Sequence, residues 1–447
     1  MTTNQTDLLH TEPVGRIFMK YLVPSLIGMM IMALNIVIDG VMVGNRLGST
    51  ALAGVGIASP VYTIFVAMSL WIGMGGATLF SQAMGARDVK RAQFIFTHSI
   101  VLIAGFTIVI GITALIFNEP LTYMLGANEE TFPFANDYLR IMLLFGFILT
   151  AENAISTFIR NDQNPTLAMI ALVVTAVFNI AINYYILYVL NLGVAEVAIG
   201  TIIAAFIGVF VMGAHFFKKS NHLRFVPFHF HRALFKNTMT VGFPSFLSEI
   251  GISVFTVAYN VTLARLAGTI GVAAFSVLNY VHSVMLMLFL GMGAAVQPLV
   301  SYFHGAKMPD RIRQTMKLAI GTAIFSGIAA FLIGQFGAKQ IVAVFGDFEA
   351  EVVDMATTGI RLFFIAYLFM GINFVMMSYF QSIAQIRMAT WITAGREIIF
   401  MMIFILVLPL FIGVHGVWLS IPLAELVVMA TVILYVWRNQ EFARPGN

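Results

Sequence analysis

The chain has 447 residues, of which 60% are hydrophobic and only 10% charged. Soluble domains carry about 25% charged residues, so a soluble enzyme of this size is nearly excluded and lipid is the expected solvent. The absence of Cys removes disulfide frameworks, Cys-based metal sites and thiol catalysis, and a formal charge of +4, scattered along the chain, does not point to nucleic acid.

Apolar runs of about 20 residues or more recur from end to end, and a helix of that length crosses a hydrocarbon core of about 30 Å. About twelve spans are expected, starting near Ile17, Ala51, Phe94, Phe134, Thr166, Val197, Thr238, Ile270, Met316, Met355, Met388 and Val414. The first is preceded by 16 mostly polar residues with no small-residue cleavage site, so it reads as retained and not as a signal peptide. The expected division is an N-terminal segment (1–16), six spans (17–217), a basic linker (218–237), six spans (238–437) and a tail (438–447).

Loop charge gives the orientation. With both termini cytoplasmic, that side holds 19 of the 24 Lys and Arg residues, including Arg87, Lys90, Arg91, Lys218, Lys219, Arg311, Arg313 and Arg444. The other side holds Arg46, Arg140, Arg265, Lys339 and Arg361. This is the bias of the positive-inside rule, and an error of one span would scramble it.

The two halves of the chain repeat at an offset of 220 residues: Pro24 falls on Pro244, Gly48 on Gly268, Ser81 on Ser301, Arg91 on Arg311, Gly126 on Gly346 and Gly193 on Gly413. The "GMG" runs at Gly73 and Gly291 are 218 apart, a small local gap. Six spans per half return the chain to its starting side, so the halves are expected to be parallel repeats. Transporters built this way bind substrate between their repeats.

The positions where the repeat fails carry the chemistry. Asp39 and Asn35 share a face of the first span, and Asp39 falls on Tyr259. Asn179 and Asn183 share a face of the fifth span and fall on Ile399 and Ile403, while Thr201 in the sixth falls on Ile421. An acid at mid-helix costs roughly 2.5–3.5 kcal/mol on insertion scales and is functional by default, although it can also serve only to bond neighbouring helices. Glu249, five residues past Pro244, reads either as a second ion or substrate carboxylate or as a helix-bonding group. Glu152 and Glu425 are weaker candidates, Glu152 and Arg160 form a plausible structural pair, and Glu397 beside Arg396 reads as structural. Pro24, in the same span as Asp39, permits either a working hinge or a static kink. The nine His residues show no metal-ligand spacing, "HFHRA" from His229 reads as interfacial, and no nucleotide-binding or hydrolase pattern is present. No enzyme, cofactor or metal site is therefore expected.

With the repeat in place, "VPS" entering the first span, "IDGVMVGNRLGSTALAGVG", "GMGGATLFSQAMGARD" and "FNIAINYYIL" resemble the multidrug and toxic compound extrusion family over residues 14–437, most closely its DinF-like branch. The resemblance implies an all-α inner-membrane antiporter of two six-helix lobes. It would exchange protons or Na⁺ for hydrophobic, often cationic, compounds by alternating access, as a monomer whose partners are the bilayer and drug-like molecules. It also implies an N-lobe coupling site at Asp39, Asn179 and Thr201. Asn183 departs from the family's Asp, which makes the proton the simpler coupling ion. Glu249 resembles the span-seven Glu of the NorM-like branch, but "FMGINFVMMSYFQ" in span ten holds no acid. Asn35, Tyr184, Glu249 and Tyr259 are the substrate-cavity candidates. A lipid-linked saccharide flippase of the same superfamily is disfavoured by the near absence of Arg and Lys within spans, and a receptor or structural role by the repeat.

Overall fold

The computed structural model describes residues 5–218, 221–346 and 348–439. Lys219, Arg444 and most of the expected tail lie outside them. Among the described residues there are no strands, and eleven helices are long and apolar enough to cross a membrane. They are α1 (Val14–Gly48), α2 (Thr50–Gly85), α3 (Val89–Ile116), α4 (Phe132–Asn161), α5 (Pro165–Val189), α6 (Val194–Phe217), the long helix Arg232–Gly305, Pro309–Val344, Ala350–Ser382, Ile386–Ile412 and Val414–Asn439. The long helix leaves helical geometry at Gly268 and serves as two. We label its parts α7 (232–267) and α8 (269–305), and the last four α9 to α12. Two short helices, Gln5–Thr11 and Asn118–Met124, complete the description.

The backbone itself carries the repeat. Gly48 (φ 85°) breaks α1 from α2 as Gly268 (φ 57°) breaks α7 from α8, a left-handed backbone that glycine adopts without strain. Arg87 (φ 61°) and Lys307 (φ 56°) turn the chain after α2 and α8, and Gly126 (φ 105°) matches Gly346 (φ 132°). Each pair is again 220 residues apart. Helix starts follow local chemistry: Asp88 accepts from Arg91 N at 3.0 Å and Asn164 from Leu167 N at 3.2 Å, which satisfies donors orphaned at a helix N-terminus. Pro165 and Pro309 occupy first-turn positions where no backbone donor is lost.

The chain divides into two compact units. One is the described residues up to Glu12 with Val23–Phe246; the other is Pro13–Leu22 with the described residues from Leu247 onward. In the first unit small residues allow close helix approach: a Cβ on Gly242 would fall 1.6 Å from Trp71 O, and one on Gly75 2.0 Å from Thr238 O. The segment after α6 packs on this unit. Val226 N donates to Thr97 Oγ1 at 3.0 Å and Phe94 stacks on His229 at 4.3 Å.

Asp162, which ends α4, fixes the same segment. Its Oδ2 lies 2.8 Å from His215 Nε2 and accepts from His222 N at 2.9 Å and Leu223 N at 3.2 Å, while Oδ1 lies 3.1 Å from His222 Nδ1. Burial raises this carboxyl's pKa, but the hydrogen bonds of His215 and His222 and the charge of His215 outweigh it and hold the group below the usual Asp range.

Candidate functional site

The four polar positions that break the repeat meet in the first unit. Asp39 lies on α1, one turn after Asn35, and its carboxylate is half-buried. Asn183 Nδ2 on α5 donates to Asp39 Oδ1 at 3.0 Å. Asn179, one turn earlier, satisfies both ends of its amide when the nitrogen faces Asp39. It then lies 2.9 Å from Oδ1 and 2.7 Å from Oδ2, and its oxygen lies 3.3 Å from Asn183 Nδ2 and 3.1 Å from Thr201 Oγ1. Thr201 Oγ1 is also 3.1 Å from Val197 O, so its single proton serves one of the two acceptors at a time.

The arrangement is a charge-capable oxygen pair held by neutral amide donors. Asn179 and Asn183 are 2% and 0% exposed, so their amides depend on one another for partners. No cation stands against Asp39 in these bonds. The carboxylate can therefore change charge without stranding a buried Arg or Lys. Gly200 on α6 makes room for the cluster, since a Cβ there would lie 2.4 Å from Asn183 Oδ1. Sequence reasoning missed Gly200, although its signal was present: a glycine one residue before Thr201, inside an apolar helix.

The remaining candidates are dispersed. Asn35 is 9% exposed and belongs to the Asp39 cluster, 3.1 Å from the turned Asn179 nitrogen. Tyr184 is 55% exposed and stacks on Tyr188 at 5.0 Å. Tyr259, expected to line a cavity, is instead fully buried in the second unit among Phe255, Phe275, Phe363 and Trp418. Its ring is part of an aromatic core. Glu249 is half-buried on α7. Pro24 lies within α1, which keeps helical angles until Gly48. The expected Glu152–Arg160 pair does not form: Glu152 accepts from Thr175 Oγ1, and Arg160 Nη2 donates to Thr157 Oγ1 at 3.2 Å. A concavity of about 440 Å³ between α3 and the helix Asn118–Met124 is lined by Val109, Ile110, Phe117 and Leu121 and is nearly all apolar, with no charged group to hold a cation.

The second unit holds a different polar cluster, which the sequence did not assemble. Arg396 on α11 donates from Nε to Glu425 Oε1 on α12 at 2.8 Å, and its Nη1 lies 3.1 Å from Glu397 Oε1. Asn373 Nδ2 on α10 donates to Glu425 Oε2 at 2.7 Å and to Glu425 O at 2.9 Å. Ser248 Oγ on α7 donates to Glu397 Oε1 at 3.0 Å. Arg396 and Glu397 lie on a π-helical turn, Gly395–Ile399, a local widening frequent at functional sites.

Two six-helix repeats, each with its own buried polar cluster, define a membrane transporter rather than an enzyme. The chain belongs to the MatE family, whose model matches residues 24–185 and 244–407, once in each half. It is similar to the multidrug export protein MepA of Staphylococcus saprophyticus, with 24% identity over 98% of each chain. Among solved structures it is similar to a MATE protein in complex with MaL6 and to the outward-facing conformation of a multidrug resistance MATE family transporter of the MOP superfamily. Each has a TM-score of 0.91 and 23% identity over 99% of both chains.

Proposed function

We propose that this transporter exports hydrophobic, often cationic, compounds in exchange for protons by alternating access. It works as a monomer in the inner membrane with both termini cytoplasmic, and it belongs to the DinF-like branch. The observation that carries the reading is the Asp39 cluster: one half-buried carboxylate bonded by Asn179 and Asn183, with no basic partner. Taking up a proton neutralises Asp39 and removes its demand for two amide donors. Losing the proton restores a negative charge that attracts a cationic substrate and strengthens the same bonds. The protonation state thus differs in free energy between two arrangements of α1, α5 and α6, as a coupling site requires. Thr201 completes the network, Asn35, Tyr184 and Glu249 contribute to substrate binding, and Pro24 is the point at which α1 can bend.

The similarity to multidrug export proteins along nearly the whole chain supports the substrate class. The surplus of Lys and Arg in one set of loops supports the orientation, and the absence of a basic partner from the bonds of Asp39 supports the proton. The test is efflux of a fluorescent organic cation from proteoliposomes under separately imposed proton and Na⁺ gradients. A proton gradient alone is expected to drive efflux. Efflux driven by Na⁺ alone would overturn the assignment.

A further inference from the structure

The cluster in the second unit contains more acid than base. Arg396 is the cation in contact with two carboxylates, Glu397 and Glu425, and all three side chains are 8% exposed or less. Glu249 on α7 and His282 on α8 also face this group electrostatically. His282 is engaged with Tyr367, its Nδ1 3.1 Å from the phenolic oxygen, and Glu249 adds a further acid. If both contacting carboxylates were ionised, an unpaired negative charge would sit within a membrane helix, which burial strongly disfavours.

The two carboxylates are not equivalent. Glu425 has a donor on each oxygen, Arg396 Nε on one and Asn373 Nδ2 on the other. Glu397 receives Ser248 Oγ and Arg396 Nη1 on Oε1 alone, and its Oε2 is buried without a hydrogen-bond partner. That oxygen rests against the bare backbone of Gly251, where a Cβ would lie 2.3 Å away. Asn373 Oδ1 is a second buried acceptor without a partner, because its amide nitrogen is committed to Glu425. Unpartnered acceptors beside a surplus of negative charge indicate a cation. A proton on Glu397 supplies that cation, since it cancels the surplus charge without further ligands.

We propose that Glu397 is a second proton-binding site, separate from Asp39, whose carboxyl stays neutral at physiological pH while Glu425 remains ionised against Arg396. The site goes beyond the export reading and does not depend on it, since the proton would be present in a protein that moved no drug. The test is infrared spectroscopy of the full-length protein in lipid nanodiscs, titrated with pH, for wild type, Glu397→Gln, Glu425→Gln and Asp39→Asn. At neutral pH, Glu397→Gln is expected to lose one protonated-carboxyl stretching band, Asp39→Asn to keep that band, and Glu425→Gln to lose it as well, because with Glu425 neutral an ionised Glu397 balances Arg396. Equal band intensity in wild type and Glu397→Gln overturns the proposal. So does failure of Glu397→Gln to fold, because glutamine has the shape and neutrality of the protonated acid.

Discussion

The two halves put different chemistry on one scaffold. In the first unit the carboxylate of Asp39 accepts from two amides, Asn183 and Asn179, the latter linked in turn to Asn35 and Thr201, and stays half-buried. In the second, Arg396, Glu397 and Glu425 form a buried ionic group. At the 220-residue offset, Asp39, Asn179 and Thr201 fall on Tyr259, Ile399 and Ile421, while Arg396, Glu397 and Glu425 fall on Ala176, Val177 and Ala205. Neither cluster therefore has a copy in the other half. Neutral donors allow a carboxylate to change charge with little rearrangement. A guanidinium locked between acids makes any loss of charge expensive. On the readings proposed above, the first cluster switches and the second holds, with Glu397 as its one adjustable member.

The most severe test of that contrast removes the charge from each side. Asp39→Asn keeps size and hydrogen-bonding capacity but cannot cycle a proton. It is expected to abolish efflux driven by a pH gradient in proteoliposomes while leaving thermal stability within about 0.5 kcal/mol. Full activity would remove Asp39 from the coupling role. Glu425→Leu should do the reverse to stability. It removes the acceptor of Arg396 Nε and one of the two acceptors of Asn373 Nδ2, a loss of about 1.5–3 kcal/mol, read as a fall in the unfolding temperature of the detergent-solubilised protein. A shift as small as that of Asp39→Asn would mean that the two clusters are not different in kind.

Much of this was legible in the sequence, for physical reasons. Hydrocarbon admits only helices long enough to cross it and internally bonded, so composition and run length point to long apolar helices; the expected starts at Thr166 and Val414 lie at or next to helix starts, while Thr238 and Met316 lie six and seven residues inside theirs, at Arg232 and Pro309. The Asp39 cluster was visible because duplication supplies its own control: Ile399 and Ile421 mark what the scaffold tolerates where no site is needed. The second cluster was not visible, because its members lie on four helices, α7, α10, α11 and α12, and their contacts depend on rotations that periodicity does not set. Tyr259, the repeat partner of Asp39, packs in an aromatic core whose contacts likewise depend on rotations that periodicity does not set.

A smaller effect is expected at Asp162, a third arrangement in which a carboxylate fixes chain instead of switching. Its pKa is lowered in the folded protein, so its stabilisation is fully present above the ordinary Asp value and is lost as pH falls through the lowered one. Hydrogen bonds to a charged group contribute roughly 1.5–3 kcal/mol. Asp162→Asn should therefore speed hydrogen exchange at the amides of His222 and Leu223 by about tenfold or more at neutral pH. Wild type should show the same loosening only below the ordinary carboxylate range. Unchanged exchange at both amides would mean that other contacts hold this segment.

The finest comparison is between two glycines. Asn183 on α5 rests on Gly200, and Glu397 on α11 rests on Gly251, with 2.4 Å and 2.3 Å from the position of a Cβ to the side-chain oxygen. An alanine at either site forces that oxygen to move, and overpacking costs about 1–3 kcal/mol. Replacing a helical glycine with alanine returns about 0.8–1 kcal/mol, so the net loss of stability should be near 1 kcal/mol in both. Function should separate them. Gly200→Ala displaces the amide that bonds Asp39 and should reduce proton-driven efflux, though less completely than Asp39→Asn. Gly251→Ala displaces a carboxyl that the first cluster does not use and should leave the efflux rate near that of wild type. Equal losses of efflux in the two variants would show that the clusters act as one coupled site, and the division into a switching half and a holding half would fail.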